Sequence, residues 1–399
     1  MAIINSLLDT DLYKFTMMQT ALHQFSTTTV EYSFKCRNEA NWTAEILEEI
    51  NAEIDHFCTL RFTEEELDYL LSIPFMKKDF IDFLGLYQPN KQHIFLWINQ
   101  EGELQVSVKG PWYLTLPFEV PVLSIINQIY FEKTCHIVYD PSNRENPIIK
   151  SGLERLENKY QEALIKGIPF SDFGTRRRYS FLWQGTILKK LMKLPNFTGT
   201  SNVFYAKKYN LTPIGTMAHE FIMAGAGQND VPLVKSQQKM LQAWVDEYRG
   251  DLGIAISDTY GVDAFLNDFD LYFAKLYDGV RHDSGEPVEW AWKIINHYRK
   301  LEIDPKTKTL IFSDDLTITK ASHLHDLLSP HIKVAFGIGT HLTNDFQYVT
   351  PLQIVMKIIS CNNRPVAKLS DSPGKGMCKD ENFLNYLKDV FNIKHDFTV

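Results

Sequence analysis

Cysteine is scarce in this chain. Cys36, Cys58, Cys135, Cys361 and Cys378 are scattered over 399 residues in odd number and with no C-x-x-C pair. This excludes a disulfide framework and a thiolate zinc site and fits a reducing cytoplasm. Long apolar runs are missing as well: the most apolar stretch, residues 112–131, is interrupted by Pro117, Glu119 and Pro121. It reads as core, and no membrane partner is expected. No export signal is visible, because the N-terminus carries no basic region and meets acidic Asp9 early. Positive charge is not in excess either. The formal charge of -8 excludes whole-protein affinity for nucleic acid or an anionic membrane, leaving room only for a local basic pocket. H-x-H and H-E-x-x-H spacings are absent, and so is G-x-x-x-x-G-K-[ST], although Lys375 stands within Gly374-Lys375-Gly376. A Walker-type site and a protein ligand set for a metal are therefore not expected.

What is present suffices for a packed protein. Hydrophobic residues make up 44% of the chain and aromatics 13%, enough apolar surface to offset chain entropy. One large or two medium domains are expected at this length. Residues 30–37 alternate like a strand, 44–57 have the period of an amphipathic helix, and 93–108 read as a hairpin turning near Glu101-Gly102. That texture predicts an α+β domain over residues 1–140, with the C-terminal segment 360–399 as a candidate addition to it. A charged helical stretch at 150–164 leads into a boundary region at 170–178.

From about residue 211 short apolar runs alternate with helical stretches at a period of about 25 residues. Strand ends are expected at 214–219, 253–258, 279–283, 310–314 and 334–337, with helices at 237–248, 262–276, 287–299 and 318–328 between them. The alternation predicts βαβ units and a parallel sheet within residues 141–359, closed as a barrel or open and doubly wound. Each strand delivers a polar residue or glycine at its C-terminal end, where such sheets build their sites. One pocket there would collect His219, Asp258, Arg281, Asp283, Asp314 and Gly337.

An imidazole at His219 could serve as base, nucleophile or phosphoryl acceptor. Asp258 and Asp283 could orient it or accept from a ribose diol; equally, each could cap the helix that follows. Arg281 and Asp283 are two apart on a strand, so both face the same side. Gly337 and Gly339 offer bare backbone N–H groups to phosphate oxygens, or simply a tight turn. Arg176, Arg177 and Arg178 could grip a carboxylate or phosphate, beside Phe173, which could stack on a ring.

Taken together, Ser6-Leu7-Leu8-Asp9-Thr10-Asp11-Leu12-Tyr13-Lys14, Asp172-Phe173-Gly174-Thr175-Arg176-Arg177, Gly199-Thr200-Ser201-Asn202, Gly215-Thr216-Met217-Ala218-His219-Glu220, His282-Asp283-Ser284-Gly285, Phe336-Gly337-Ile338-Gly339-Thr340 and Lys368-Leu369-Ser370-Asp371 resemble the nicotinate phosphoribosyltransferase family. The motifs stand in the family's order along nearly the whole chain. The resemblance implies a type II phosphoribosyltransferase fold, an irregular TIM-like α/β barrel with an N-terminal α+β domain, in a cytoplasmic homodimer whose sites are shared between subunits. It implies transfer of phosphoribose from phosphoribosyl pyrophosphate to nicotinate for NAD biosynthesis, with Mg²⁺, and with ATP hydrolysed through a phosphohistidine as in a ligase.

By the same resemblance His219 is the phosphorylated residue and Asp258 orients it. Phe173 would stack on the pyridine, with Tyr13 of the other subunit on the opposite face. Arg176 and Arg281 would hold the ring carboxylate and phosphoribose, and Asp283 the ribose hydroxyls. Arg37 would serve the neighbour's pocket, while Ser313, Gly337, Gly339, Thr340 and Lys368 complete the substrate site.

Three other readings compete. A nicotinamide-using relative would carry an acidic residue where Ser201 stands, a carboxylate hostile to nicotinate. A type I phosphoribosyltransferase would share the apolar run before Asp314-Asp315, but Thr319-Lys320 replaces the expected Thr-Gly. A non-catalytic metabolite-binding barrel would have no use for both His219 and Asp283.

Overall fold

The computed structural model describes residues 2–135, 139–140, 146–369, 371, 377–378 and 380–393. The Gly374-Lys375-Gly376 stretch and Ser370 lie outside them. The described strands are β1 (Thr29–Cys36), β2 (Ile94–Ile98), β3 (Leu104–Pro111), β4 (Phe170–Asp172), β5 (Phe197–Thr200), β6 (Arg249–Leu252), β7 (Ile254–Ile256), β8 (Gly279–His282), β9 (Thr309–Phe312), β10 (Lys333–Ile338), β11 (Ile354–Cys361) and β12 (Arg364–Pro365).

Five of these form an antiparallel sheet in the order β12-β11-β1-β3-β2. In β1 the alternate residues Val30, Tyr32 and Phe34 are buried, as a half-buried strand requires. The β2–β3 turn places Gly102 at φ 80°, where its missing Cβ removes the steric cost. The sequence reading divided residues 354–361 between the barrel and the terminal segment. They form one strand instead, paired with β1 along its length. Against this sheet the helix Ala44–Phe57 buries Ile46, Ile50, Ile54 and Phe57, and Thr43 caps it by accepting from the Ile46 N–H. The segment Trp112–Thr134 is the one stretch among the described residues long and apolar enough to cross a membrane, but 78% of its most apolar window is buried inside the protein. It is a core beam, broken at Pro117 and resumed at Glu119.

Six strands form a parallel sheet in the order β5-β4-β10-β9-β8-β7. The βαβ alternation therefore starts at residue 170 and not at 211, because β4 and β5 are too short to give a periodic signal. The expected strand at 214–219 does not form as a regular strand. Residues 212–216 run instead between the two edges of the sheet: the Thr200 and Ile214 N–H groups donate to the Thr212 and Thr200 carbonyls at 3.2 and 2.9 Å, and the Thr216 hydroxyl donates to the Ile254 carbonyl at 3.1 Å. This links β5 to β7 across the two edges of the parallel sheet, as an irregular α/β barrel requires. A Cβ on Gly199 would lie 2.2 Å from the Thr212 carbonyl oxygen, so only glycine permits the approach.

The helices Ser236–Tyr248, Pro287–Lys300 and Ile318–Leu328 fall where expected. The expected helix 262–276 is two helices, Val262–Asp268 and Leu271–Leu276, because Asp270 accepts from the Tyr272 and Phe273 N–H groups and starts a new cap.

Candidate active site

The strand ends converge on His219. This residue opens the helix His219–Gly225, and its Nε2 lies 2.8 Å from Asp258 Oδ1 and 3.7 Å from Asp283 Oδ2. Neither aspartate is a cap, since Gly261 and Glu286 occupy the N-caps of the helices that follow. Asp258 is fully buried, accepts from Ser284 Oγ at 2.5 Å, and is paired with Lys368 Nζ at 2.9 Å. Burial opposes its charge, but the Lys368 ammonium and His219 outweigh that and hold the carboxyl well below its usual range. Burial first, and then Lys368, push the His219 imidazolium down to about 4, against the pull of Asp258. At neutral pH the ring is therefore uncharged, Nε2–H donates to Asp258, and the Nδ1 lone pair is the nucleophilic atom.

Asp283 is partly open, with a side chain 29% exposed, and it accepts from Ser313 Oγ at 3.1 Å. Burial works against its ionisation, yet His219, Lys368 and Arg281 keep it below the usual carboxylate range. Arg281 thus shares the face of Asp283, as alternation requires, and its Nε is buried without a partner among the described residues. His282 points the other way, packed against Trp290 and Phe312. His219, Asp258 and Asp283 bring ligand atoms within 4.8 Å of one another. Of the three, Asp283 suits Mg²⁺: it offers oxygen and retains exposure, whereas Asp258 is held by Lys368 and Mg²⁺ seldom takes imidazole.

A second cluster lies beside the first. Phe173 is held through its N–H to the Ile338 carbonyl at 2.9 Å, and its ring lies against Gly337, where a Cβ would meet it at 2.2 Å. Gly337 is thus bare to admit this ring. Gly339, whose Cβ would stand 3.2 Å from the Phe173 carbonyl, serves the same packing. Thr340 starts the short helix behind it, in which Thr343 Oγ1 donates to the Gly174 carbonyl. Arg176 presents a side chain 39% exposed, 3.7 Å from Glu119.

The N-terminal segment completes this cluster within the same chain. Leu12 N–H donates to the Ser201 carbonyl at 2.8 Å, and Val203 and Phe204 donate to Thr10 and Leu8. Asp9 forms a buried bidentate pair with Arg178 at 2.6 Å. Tyr13 is accordingly close enough to Arg176 for the guanidinium to act on its hydroxyl. Arg37 is pushed down by burial and by Arg176, while Asp283 and Asp314 pull it back. Tyr13 and Arg37 thus both stand within electrostatic reach of Arg176.

Several members escaped the sequence reading. Ser201 Oγ donates to Asp11 Oδ1 at 2.7 Å, so a carboxylate stands beside the residue that was expected to mark its absence. Burial pushes Asp11 up to about 6 despite Ser201 and Arg176. Lys357, on β11, is held well below the usual ammonium range by burial and by Lys368 and Arg37, with Asp283 and Asp258 opposing. A lone lysine inside the run Ile354-Val355-Met356-Lys357-Ile358-Ile359 was the available signal. Arg37 and Lys368 give this acidic protein a local cationic wall suited to a small polyanion, and Lys357 stands beside them with its charged form disfavoured.

Two family descriptions match the chain: the nicotinate phosphoribosyltransferase (NAPRTase) family over residues 168–395, and the nicotinate phosphoribosyltransferase (NAPRTase) N-terminal domain over residues 8–127. Nicotinate phosphoribosyltransferases from Cupriavidus necator and Xylella fastidiosa are 49% and 50% identical, over 98% and 99% of this chain and 99% of each relative. Among solved structures, nicotinate phosphoribosyltransferase from Vibrio cholerae superposes with a TM-score of 0.91 at 38% identity, covering 99% of this chain and 95% of that one. The enzyme of that name from Porphyromonas gingivalis superposes with a TM-score of 0.91 at 32% identity, covering 98% and 100%.

Proposed function

The chain belongs to the nicotinate phosphoribosyltransferase family, and from that premise we propose that it transfers phosphoribose from phosphoribosyl pyrophosphate to nicotinate with ATP hydrolysis coupled through phosphorylated His219. The observation that carries the coupling is the imidazole held through Nε2 by Asp258 at 2.8 Å, with no hydrogen bond to Nδ1 among the described residues. In this reading Nδ1 attacks the γ-phosphorus of ATP and ADP departs, while Asp258 keeps the Nε2 proton in place. The added charge then meets Lys368, Arg281 and Arg37, and water later releases phosphate. In the transfer itself the pyridine nitrogen bonds to the anomeric carbon as pyrophosphate leaves. No proton need move, so the site's task is placement and charge stabilisation.

Phe173 and Tyr13 would enclose the ring, Arg176 would hold its carboxylate, and Asp283 with Ser313 would take the ribose hydroxyls. Asp283 would also hold Mg²⁺ carried with the phosphates, whose charge neutralisation favours the leaving pyrophosphate. Five scattered cysteines with no C-x-x-C pair agree with a cytoplasmic setting.

The test is purified protein given labelled nicotinate, phosphoribosyl pyrophosphate and Mg²⁺, with and without ATP, and with nicotinamide as alternative substrate. Nicotinate mononucleotide should form faster with ATP. His219→Asn should lose acid-labile phosphate incorporation and keep a slow, ATP-independent transfer. A phosphoenzyme that persists in this variant refutes the assignment.

A further inference from the structure

Lys14 is a buried cation that the proposed reaction does not use. Its ammonium lies 2.5 Å from Glu119 Oε2 and 2.9 Å from Glu220 Oε2, and the three side chains are 1%, 6% and 4% exposed. The three come from distant parts of the chain: the first helix, the core beam 119–134, and the helix that His219 opens. Two carboxylates share one ammonium, and Glu119 makes up the shortfall by reaching Arg176 at 3.7 Å through its other oxygen. Glu220 Oε1 has no hydrogen-bond partner among the described residues.

We propose that Lys14 and Glu220, neither of which is open to a ligand, set how strongly Arg176 binds the carboxylate of nicotinate, acting as positioning residues through Glu119. This rests on the reading of Arg176 as the holder of that carboxylate. The argument is competition for a fixed number of cations. Arg176 divides its charge between Glu119 and an incoming carboxylate; Glu119 leans on Arg176 only as far as Lys14 is engaged by Glu220. Burial pushes Glu220 up to about 7 against Lys14, in keeping with a carboxylate short of a partner. If Glu220 loses its charge, Lys14 turns wholly to Glu119 and Arg176 is released to the ligand. If Lys14 loses its charge, Glu119 falls back on Arg176 and nicotinate is displaced. Two residues that touch no substrate should thus shift nicotinate binding in opposite directions.

The simpler alternative is a general change of field, and it makes different predictions. A field effect would act on phosphoribosyl pyrophosphate at least as strongly as on nicotinate, and it would not depend on Glu119.

The experiment measures nicotinate dissociation constants by calorimetry, and KM for both substrates, in the wild-type protein and in Glu220→Gln, Glu119→Gln, their double variant and Lys14→Met. Glu220→Gln should tighten nicotinate about fivefold, and Lys14→Met should weaken it about tenfold, with KM for phosphoribosyl pyrophosphate unchanged. In the Glu119→Gln background, Glu220→Gln should have no further effect. The glutamine variants preserve shape and carry the test if Lys14→Met does not fold. Wild-type protein that fails to bind nicotinate overturns the proposed function itself. Wild-type protein that binds, with a Glu220→Gln effect that is absent, persists without Glu119 or extends equally to phosphoribosyl pyrophosphate, overturns the relay alone.

Discussion

Ser201 shows how far a single residue can be read before its neighbours are known. A small hydroxyl in that position argues for nicotinate over nicotinamide only if nothing else supplies an acid, and Asp11 does supply one at 2.7 Å. The consequence bears on Ser201→Asp. A second carboxylate set against Asp11 forms an acid pair, and two such groups at contact share one proton. Just above pH 6, where Asp11 alone is ionised, a pair that keeps its shared proton carries the same single charge as the wild-type site, and kcat/KM for nicotinate should stay within about tenfold of wild type. As pH rises and the pair loses its proton, a charge about 4 Å from the substrate costs on the order of 4 kcal/mol at an effective dielectric of 20, and solvent relieves part of it. Nicotinate turnover should then fall by about a hundredfold relative to wild type between pH 6 and 9. The ratio of the two pH profiles decides the matter: a flat ratio means that Ser201 and Asp11 do not face the ring carboxylate. His219, Asp258, Asp283 and Arg281 were legible because each ends a strand or starts an element. Asp11 and Lys14 were not, because their partners lie about one to two hundred residues away and local pattern carries no trace of them.

At the level of strands and helices, legibility followed length. Helices such as Ala44–Phe57 and Ile318–Leu328 have a full apolar stripe and coincide with the reading, whereas β4, of three residues, and β5, of four, are too brief to alternate. Yet β4 and β10 frame the proposed ring subsite, since Phe173 directly follows β4 and β10 carries Gly337 against its ring. The pair makes Gly337→Ala an informative change. Its Cβ would stand 2.2 Å from the Phe173 ring, and the Phe173 backbone cannot retreat because its N–H is bonded to Ile338. The ring must leave its place or the strands must part, at a cost of about 1–3 kcal/mol for overpacking. Nicotinate KM should rise by about tenfold or more, the equivalent of 1.4 kcal/mol, with KM for phosphoribosyl pyrophosphate little changed. Steady-state kinetics together with a thermal melt separate this from general unfolding. Equal loss for both substrates would show that Phe173 does not frame the ring.

For the molecule as a whole, the family resemblance implies a homodimer with sites shared between subunits. Such sharing does not require the N-terminal segment to leave its own chain, because a residue held at one subunit's surface can face the neighbour's pocket. In this chain, residues 8–12 are bonded to residues 201–204 through backbone groups, Asp9 is locked to Arg178 in a fully buried bidentate pair, and Lys14 is enclosed by Glu119 and Glu220. Pulling that segment out would leave buried charges without partners, each worth several kcal/mol. The segment therefore stays with its own chain, and a shared pocket would be reached by Tyr13 from there across a two-fold axis. Mixing inactive Tyr13→Ala with inactive Asp283→Ala protein tests this directly. If sites were shared across a two-fold axis, half of the mixed dimers' pockets would be free of both defects, restoring about a quarter of wild-type activity after complete exchange. Recovery towards a quarter, with exchange followed by differential labelling, is the expected outcome. If each chain builds its own site, every pocket keeps one defect, and activity that stays at the level of the single variants would overturn the sharing.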